Sequence, residues 1–347
     1  MERTLPLPEE KRALPAMSHA SPRHHGIDLL KVVCCFSVVL LHALVYRVEN
    51  YDGSPSWIVA NVLSAATREA VPVFFMISGA FLLRRDVVSL KSYFTDVARR
   101  YGMALLGGLV AYKLLALGQG DASPLLSGVL YNVRLSIGFH LWFMWTFLGL
   151  ALVAPLLRPM VAAPRNLWLF LCLWLLFCFA EPWLHAIGWN LPVDNMLFVR
   201  HTGYFVAGHA LFRQARRLPW ELLASGAVAG VAVTAALTAA ATAARGALDL
   251  RFYEGPSPFL VLYSACAFQW ARQQERVPLP ETLRRLSGAT FTVYIYHVLA
   301  LSLLSRLIGP TTLPMRIFVH TPLAFAACLA LHFLGRRTPG LRLFFKG

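Results

Sequence analysis

The chain alternates long apolar blocks with short polar ones. Apolar runs of about 18 residues or more, nearly free of charge, recur near 27–45, 57–83, 100–117, 137–157, 166–180, 196–212, 220–244, 256–271, 287–305 and 315–334. A helix needs about 20 such residues to cross a hydrocarbon core of ~30 Å. The pattern therefore predicts an all-α integral membrane protein, a bundle of about ten transmembrane helices. Residues 1–26, rich in Pro, Arg and His, read as a disordered cytoplasmic tail, 27–334 as the transmembrane domain and 335–347 as a basic cytoplasmic tail. No soluble domain fits in the connections. The first apolar run is a full span with no small-residue cleavage site after it, so the start does not read as a signal peptide.

Composition strengthens this picture. Hydrophobic residues make up 57% of the 347 and charged residues 14%, against roughly 25% charged in a soluble domain. Most of the 32 Lys and Arg residues fall in the first tail and in alternate connections, 84–99, 158–165, 213–219, 272–286 and 335–347. The other five connections hold Arg47, Arg134, Arg245, Arg251, Arg306 and Arg316. The positive-inside rule then puts both termini in the cytoplasm. The net charge of +15 follows from this topology and from attraction to anionic membrane lipid, not from nucleic-acid binding. The six cysteines all fall inside predicted spans and read as small packing residues, with no disulfide or zinc spacing. No transporter-type internal repeat is visible.

Charged groups inside a bilayer cost several kcal/mol each, and those that persist mark a cavity or pathway by default. The spans hold Asp28, Lys31 and His42 in the first, Arg68 and Glu69 in the second, then Lys113, His140, Arg200, His201, His209, His297 and His332. Lys31 and His42, eleven residues apart, end about 20° past three full turns and so share a helix face. The rise between them is about 16 Å, so they touch different parts of whatever occupies that face. With the cytoplasmic end at residue 27, Lys31 sits near the inner interface and His42 about 22 Å deep. A long, thin anionic ligand from the cytoplasm would set its phosphates at Lys31 and its reactive end at His42. An acyl-CoA has that shape. The structural alternative has Lys31 snorkelling to lipid phosphate and His42 donating to a neighbouring carbonyl.

Arg68 and Glu69 point about 100° apart on a helix, so each needs another partner. Glu69 against His42 would fix the imidazole tautomer and stabilise the imidazolium during base catalysis. Glu69 against Arg68 or Arg200 would be an ion pair that only holds the bundle. Pro72 follows and kinks the helix. His140 and Trp142 open the fourth span, where Trp142 and Trp145 fit an interfacial aromatic belt as well as a binding platform. His297, after Tyr294 and Tyr296, is a further candidate, with a lone core histidine as its alternative. No His, Cys or carboxylate residues recur at ligand spacing on one helix, so no metal is expected.

The IDLLK start with Lys31, ten residues and His42 resembles the opening motif of the acyltransferase family 3 membrane proteins. VPVFFMISGAFLL at 71–83 looks like that family's second-helix signature, HLWFMW at 140–145 resembles its His-hydrophobic-Trp block, and ATFTVYIYHVL at 289–299 is similar to its late Tyr/His segment. The four blocks stand in the family's order and span nearly the whole chain. The resemblance implies an O-acyltransferase of the bacterial inner membrane that moves acetyl or another short acyl group from cytoplasmic acyl-CoA to a hydroxyl of a surface or lipid-linked glycan. Acyl-CoA is then a donor substrate, with no tightly bound cofactor. Lys31 and His42 match the motif's basic residue and essential histidine, with Lys replacing the commoner Arg, which loses the planar fork. The chain stops after the last predicted span, so the hydrolase-like domain of some relatives is expected to be absent.

His42 is accordingly assigned as general base or transient acyl acceptor, with Glu69 behind it. Lys31, Arg84, Arg85, Arg99 and Arg100 are assigned to the nucleotide phosphates. Arg68, His140, Trp142, Arg200, Tyr204 and His297 are assigned to oxyanion or acceptor. The alternatives of another class are a proton-coupled transporter or flippase, and a non-catalytic membrane subunit of a polysaccharide assembly complex.

Overall fold

The computed structural model describes residues 24–84, 87, 89–118, 120, 139–189, 201–253, 257–274, 280–309 and 311–345, with the backbone alone at 181, 182, 185 and 186. α1 is His25–Glu49, and α2 Pro55–Thr67 and α3 Ala70–Leu82 form a broken pair. α4 Leu90–Val97 runs through a π-helical turn, Ala98–Gly102, into α5 Met103–Gly118. A 3-10 turn, Phe139–Leu141, opens α6 Trp142–Ala162, followed by α7 Pro164–Ala186 and α8 His201–Arg213. α9 Trp220–Arg245, α10 Pro258–Gln273 and α11 Glu281–Ile308 come next. A second π turn, Arg316–His320, leads into α12 Thr321–Arg337. Among the described residues there is no strand.

Seven described segments are long and apolar enough to cross a membrane: His25–Glu49, Pro55–Leu82, Leu90–Gly118, Phe139–Ala162, Trp220–Arg245, Glu281–Ile308 and Leu313–Arg337. α7, α8 and α10 stand where the sequence predicts the other three spans. α8 and α10 have 13 and 16 residues, and at 1.5 Å per residue α8 rises only about 20 Å. The apolar stretch of α7 is limited to Pro164–Ala180. The described residues therefore establish seven of the ten predicted spans as long and apolar enough to cross. The outer surface carries large side chains such as Leu156, Leu307 and Phe318, exposed at 78%, 82% and 75%. Such a surface is matched to lipid rather than water. The protein is a multi-pass membrane protein. The proposed N-terminal tail lies outside the described residues up to 23.

The break between α2 and α3 has a local cause. Pro72 has no N–H to give to the carbonyl of Arg68, four residues earlier. The chain turns at Arg68–Glu69, closed by Arg68 N–H to Ala65 O at 3.3 Å, and restarts with Val73 N–H to Glu69 O at 2.9 Å. Arg47, in the last turn of α1, clasps the loop that follows by donating to both oxygens of Asp52 at 2.6 and 2.7 Å. That fork holds the Asp52 carboxyl down at about 2, so the clasp is ionised throughout the neutral range.

Glycine sets the closest helix approach. A Cβ on Gly79 of α3 would meet Phe205 O at 1.7 Å, and one on Gly208 of α8 would meet Met76 O at 2.0 Å. Backbones in contact gain dispersion where lipid offers no hydrophobic drive between helices. At the far end of α1 a smaller cluster forms around Leu44, Val48, Ala60 and Tyr253. Its polar groups are satisfied internally: Tyr253 donates to Asn61 O at 2.7 Å, Asn61 to Ala235 O at 2.9 Å and Trp57 Nε1 to Val48 O at 2.9 Å. Five of the cysteines are buried, Cys172 is exposed, and all are free.

Gly79→Ala and Gly208→Ala are each expected to destabilise the bundle by about 1–3 kcal/mol, because backbone must shift to admit the methyl group. Gly149→Ala on α6, where a Cβ meets nothing within 4 Å, is expected to be neutral. Unfolding temperatures of the detergent-solubilised variants decide it.

Candidate active site

α1 and α11 run side by side in the same direction, joined by a polar seam. Ser287 Oγ donates to Asp28 Oδ1 at 2.7 Å, and Cys35 Sγ donates to Thr290 O at 3.3 Å. One turn or two further on, the His42 and His297 rings lie 5.0 Å apart. The seven-residue steps Asp28, Cys35, His42 put these side chains on one stripe of α1. Lys31 shares the first contact, donating to Asp28 Oδ1 at 3.1 Å.

His140 completes a group of three imidazoles. Its ring lies 5.1 Å from His297 and 6.1 Å from His42, with Phe139 edge-on to His42 at 5.4 Å. His140 and His297 are 1% and 0% exposed, so their protons are fixed by the protein. His297 Nδ1 faces the carbonyls of Tyr294 at 2.6 Å and Val293 at 3.2 Å and must be a donor. Its Nε2 then carries a lone pair, and that atom is buried without a partner. His140 Nε2 faces Ile295 O at 3.1 Å, which leaves the unpartnered Nδ1 as its bare nitrogen. Two buried proton acceptors therefore flank His42. The three rings do not form a metal site: among the described residues no group of three or more His, Cys, Asp or Glu could hold an ion.

Tyr112 of α5 locks this arrangement. Its hydroxyl accepts from Leu299 N at 3.1 Å and donates to Ile295 O at 3.0 Å, bridging one rung of α11 just beyond His297. The same hydroxyl lies 3.2 Å from His140 Nε2. Tyr294, on the other side, donates its hydroxyl to His140 O.

Two cavities approach the histidines from opposite ends of α1. One, of about 230 Å³, runs from Lys31, Ser287 and Thr290 past Phe81, Tyr101 and Phe147 to Phe143 and Tyr294. The Tyr294 ring is 5.8 Å from His297. The other, of about 210 Å³, is lined by His42, Phe139, Ser302, Ser305, Arg316 and His320 among others. Lys31 and His42 thus line different cavities, and the His140 and His297 side chains line neither.

The remaining sequence candidates scatter. Glu69 accepts from Ser37 Oγ at 3.3 Å, and its other oxygen is buried without a hydrogen-bond partner. No contact between Glu69 and His42 occurs among the described residues, because the α2–α3 turn sets Glu69 beside Ser37, more than a turn below His42. Arg68 lies over the Tyr253 ring at 4.7 Å. Tyr204 packs edge-on against Trp174 at 4.9 Å, away from the three histidines. Trp142 contacts the His201 ring at 4.9 Å, and His201 stacks on Phe75. Arg84 is exposed over the Phe212 ring at 4.8 Å, and Arg99 and Arg100 are exposed on the first π turn. None of these three arginines lines the cavity of Lys31. Arg85 and Arg200 lie outside the described residues.

Residues 24–334 match the family described as “Acyltransferase domain”. The chain belongs to this acyltransferase family. The match covers α1 through nearly all of α12, so both cavities and all three histidines lie within the family domain. The family member is also 28% identical over 185 residues to an amino-acid racemase of Enterococcus faecalis, covering 51% of this chain and 25% of that protein. It is 27% identical over 181 residues to a serine/alanine racemase of Enterococcus gallinarum, covering 50% of this chain and 25% of the relative. The match thus spans about a quarter of the length of these relatives. No solved structure matches the chain.

Sequence reading missed Tyr112, Ser37, Arg316 and His320. Tyr112 sits in an apolar run with no local motif, and its role depends on a helix almost 190 residues away in the chain, as the separation of 187 from Leu299 shows. Tyr112→Phe is expected to lower stability by about 1–3 kcal/mol, because Leu299 N and His140 Nε2 lose a buried partner. Tyr46→Phe, on a side chain that is 64% exposed, is expected to stay within about 0.5 kcal/mol. Thermal unfolding of the two variants separates these outcomes.

Proposed function

We propose that the protein is an O-acyltransferase of the bacterial inner membrane that moves an acetyl or other short acyl group from cytoplasmic acyl-CoA to a hydroxyl of an extracytoplasmic or lipid-linked glycan. The observation that carries this reading is the setting of His42, which lines one of two cavities toward opposite ends of α1, with the His297 ring 5.0 Å from it and 5.8 Å from Tyr294 in the wall of the other. Donor and acceptor can then approach from the two sides of the membrane without sharing a path. Lys31, with the N-terminal end of α1 cytoplasmic, exchanges its Asp28 contact for a phosphate of the donor. The mostly aromatic and aliphatic walls beyond it suit the pantetheine arm and the acyl group.

In the transfer step His42 takes the proton of the acceptor hydroxyl as its oxygen attacks the thioester carbonyl. The C–O bond forms, the C–S bond breaks, and the proton passes to the departing thiolate, regenerating neutral His42. The bare nitrogens of His297 and His140 beside it accept hydrogen bonds from the charged imidazolium and orient it. That role replaces the one assigned to Glu69 from the sequence. A transient acyl-His42 is the two-step variant of the same chemistry.

A second reading is a carrier, for which the racemase names of the two relatives suggest serine or alanine as the solute to test. Full-length protein in nanodiscs with radiolabelled acetyl-CoA distinguishes the two. The enzyme consumes the thioester in an acceptor-dependent way, whereas a carrier binds serine or alanine and leaves acetyl-CoA intact. His42→Ala is expected to cut transfer by about 10²–10⁴-fold with the unfolding temperature unchanged, and full transfer by that variant would overturn the assignment. Lys31→Gln is expected to raise KM for acetyl-CoA with little change in kcat, and Lys31→Arg to restore it. A kcat effect without a KM effect would remove Lys31 from the donor site.

A further inference from the structure

The cavity at His42 carries a positive charge that no carboxylate among the described residues pairs with. Arg316 and His42 line the same space of about 210 Å³. A guanidinium has five N–H donors, yet the hydrogen bond Arg316 makes within the described protein is one from Nη1 to Ala43 O at 3.4 Å. Its plane lies 5.4 Å from the Tyr46 ring, and no carboxylate among the described residues forms an ion pair with it. Half-buried in a membrane protein, such a charge is costly unless something else answers it.

The local backbone is shaped to hold it there. Pro322 cannot donate to the carbonyl of Phe318, and the chain before it widens into the π turn Arg316–His320. Thr321 Oγ1 satisfies the Arg316 carbonyl at 2.8 Å. The widened turn brings both of its terminal side chains, Arg316 and His320, to the same cavity wall. His320 is 1% exposed and its Nε2 is buried without a partner. Opposite, Ser302 and Ser305 follow Val298 along one stripe of α11, four and seven residues on, and supply hydroxyls. The space is smaller than the 300–1,000 Å³ of a typical ligand pocket, so it admits one small polar unit, a single sugar ring or its equivalent.

We infer that this cavity is the acceptor subsite and that it selects an acceptor bearing an anionic group, a carboxylate or a phosphate, which Arg316 binds while His42 meets the hydroxyl to be acylated. This rests on the acyltransferase reading for the identity of the bound molecule, while the anion site itself rests on Arg316, His320 and the cavity. Planar guanidinium geometry suits either anion.

Binding to the full-length protein in nanodiscs tests it with two matched pairs, methyl glucuronide against methyl glucoside and glycerol phosphate against glycerol. At least one anionic probe is expected to bind tenfold or more tightly than its neutral partner, and the better of the two identifies carboxylate or phosphate. Arg316→Gln is expected to abolish the preference and Arg316→Lys to keep part of it. Equal binding within both pairs, no binding by either anionic probe, or an unchanged preference in Arg316→Gln would overturn the inference. Acyl transfer from acetyl-CoA in the same preparation is scored separately. Charge-selective binding without thioester consumption counts against the acyltransferase reading alone, and transfer without charge selectivity counts against the anion site alone.

Discussion

The seam between α1 and α11 is the interaction on which the rest of the site depends. Inside a bilayer a polar side chain has no water to fall back on, so it must find its partner within the protein. Asp28 finds Ser287, Cys35 finds the Thr290 carbonyl, and His42 faces His297. Each contact fixes the same register, and a slip of one residue on either helix would break all of them. The seam therefore converts two separate helical stripes into one track with a charge at one end and an imidazole at the other.

What surrounds the seam keeps it rigid. Tyr112 bridges a rung of α11, and Tyr294 ties that helix to the backbone of His140. Buried networks of this kind stabilise only when every member is satisfied. The unsatisfied atoms are consequently informative. His140 Nδ1, His297 Nε2 and His320 Nε2 are all buried and bare, and all three lie on rings at or next to His42 or its cavity. Elsewhere close backbone approach does the holding, as at Gly79 and Gly208, where any side chain would collide with a carbonyl.

The two cavities are what the proposed transfer would use to receive donor and acceptor separately. A single deep pocket would force donor and acceptor to share one entrance, and water would share it too. On the proposed reading, separate approaches would let each substrate shed its own hydration before the two meet near His42. Each cavity has a cationic residue in its wall, Lys31 in one and Arg316 in the other. Lys31 has Asp28 to offset it, whereas the charge of Arg316 faces the cavity.

Sequence alone determined the class of the molecule. Apolar run length is a property of the chain, set by the thickness of the bilayer, and it gave an all-helical membrane protein directly. The helical repeat likewise put Lys31 and His42 on one face, since that needs only their spacing. Tertiary structure decided the rest. Seven of the ten apolar runs are described as helices long and apolar enough to cross, and the other three contain helices that the described residues alone do not establish as crossings. Glu69 went to Ser37 rather than His42, because the turn forced by Pro72 sets the height of α3 against α1. His140, His297, Tyr112 and Arg316 come from four segments, and no periodicity within one helix encodes the rotation of its neighbours. Their meeting at His42 is fixed by packing between helices far apart in the chain, which only the folded bundle specifies.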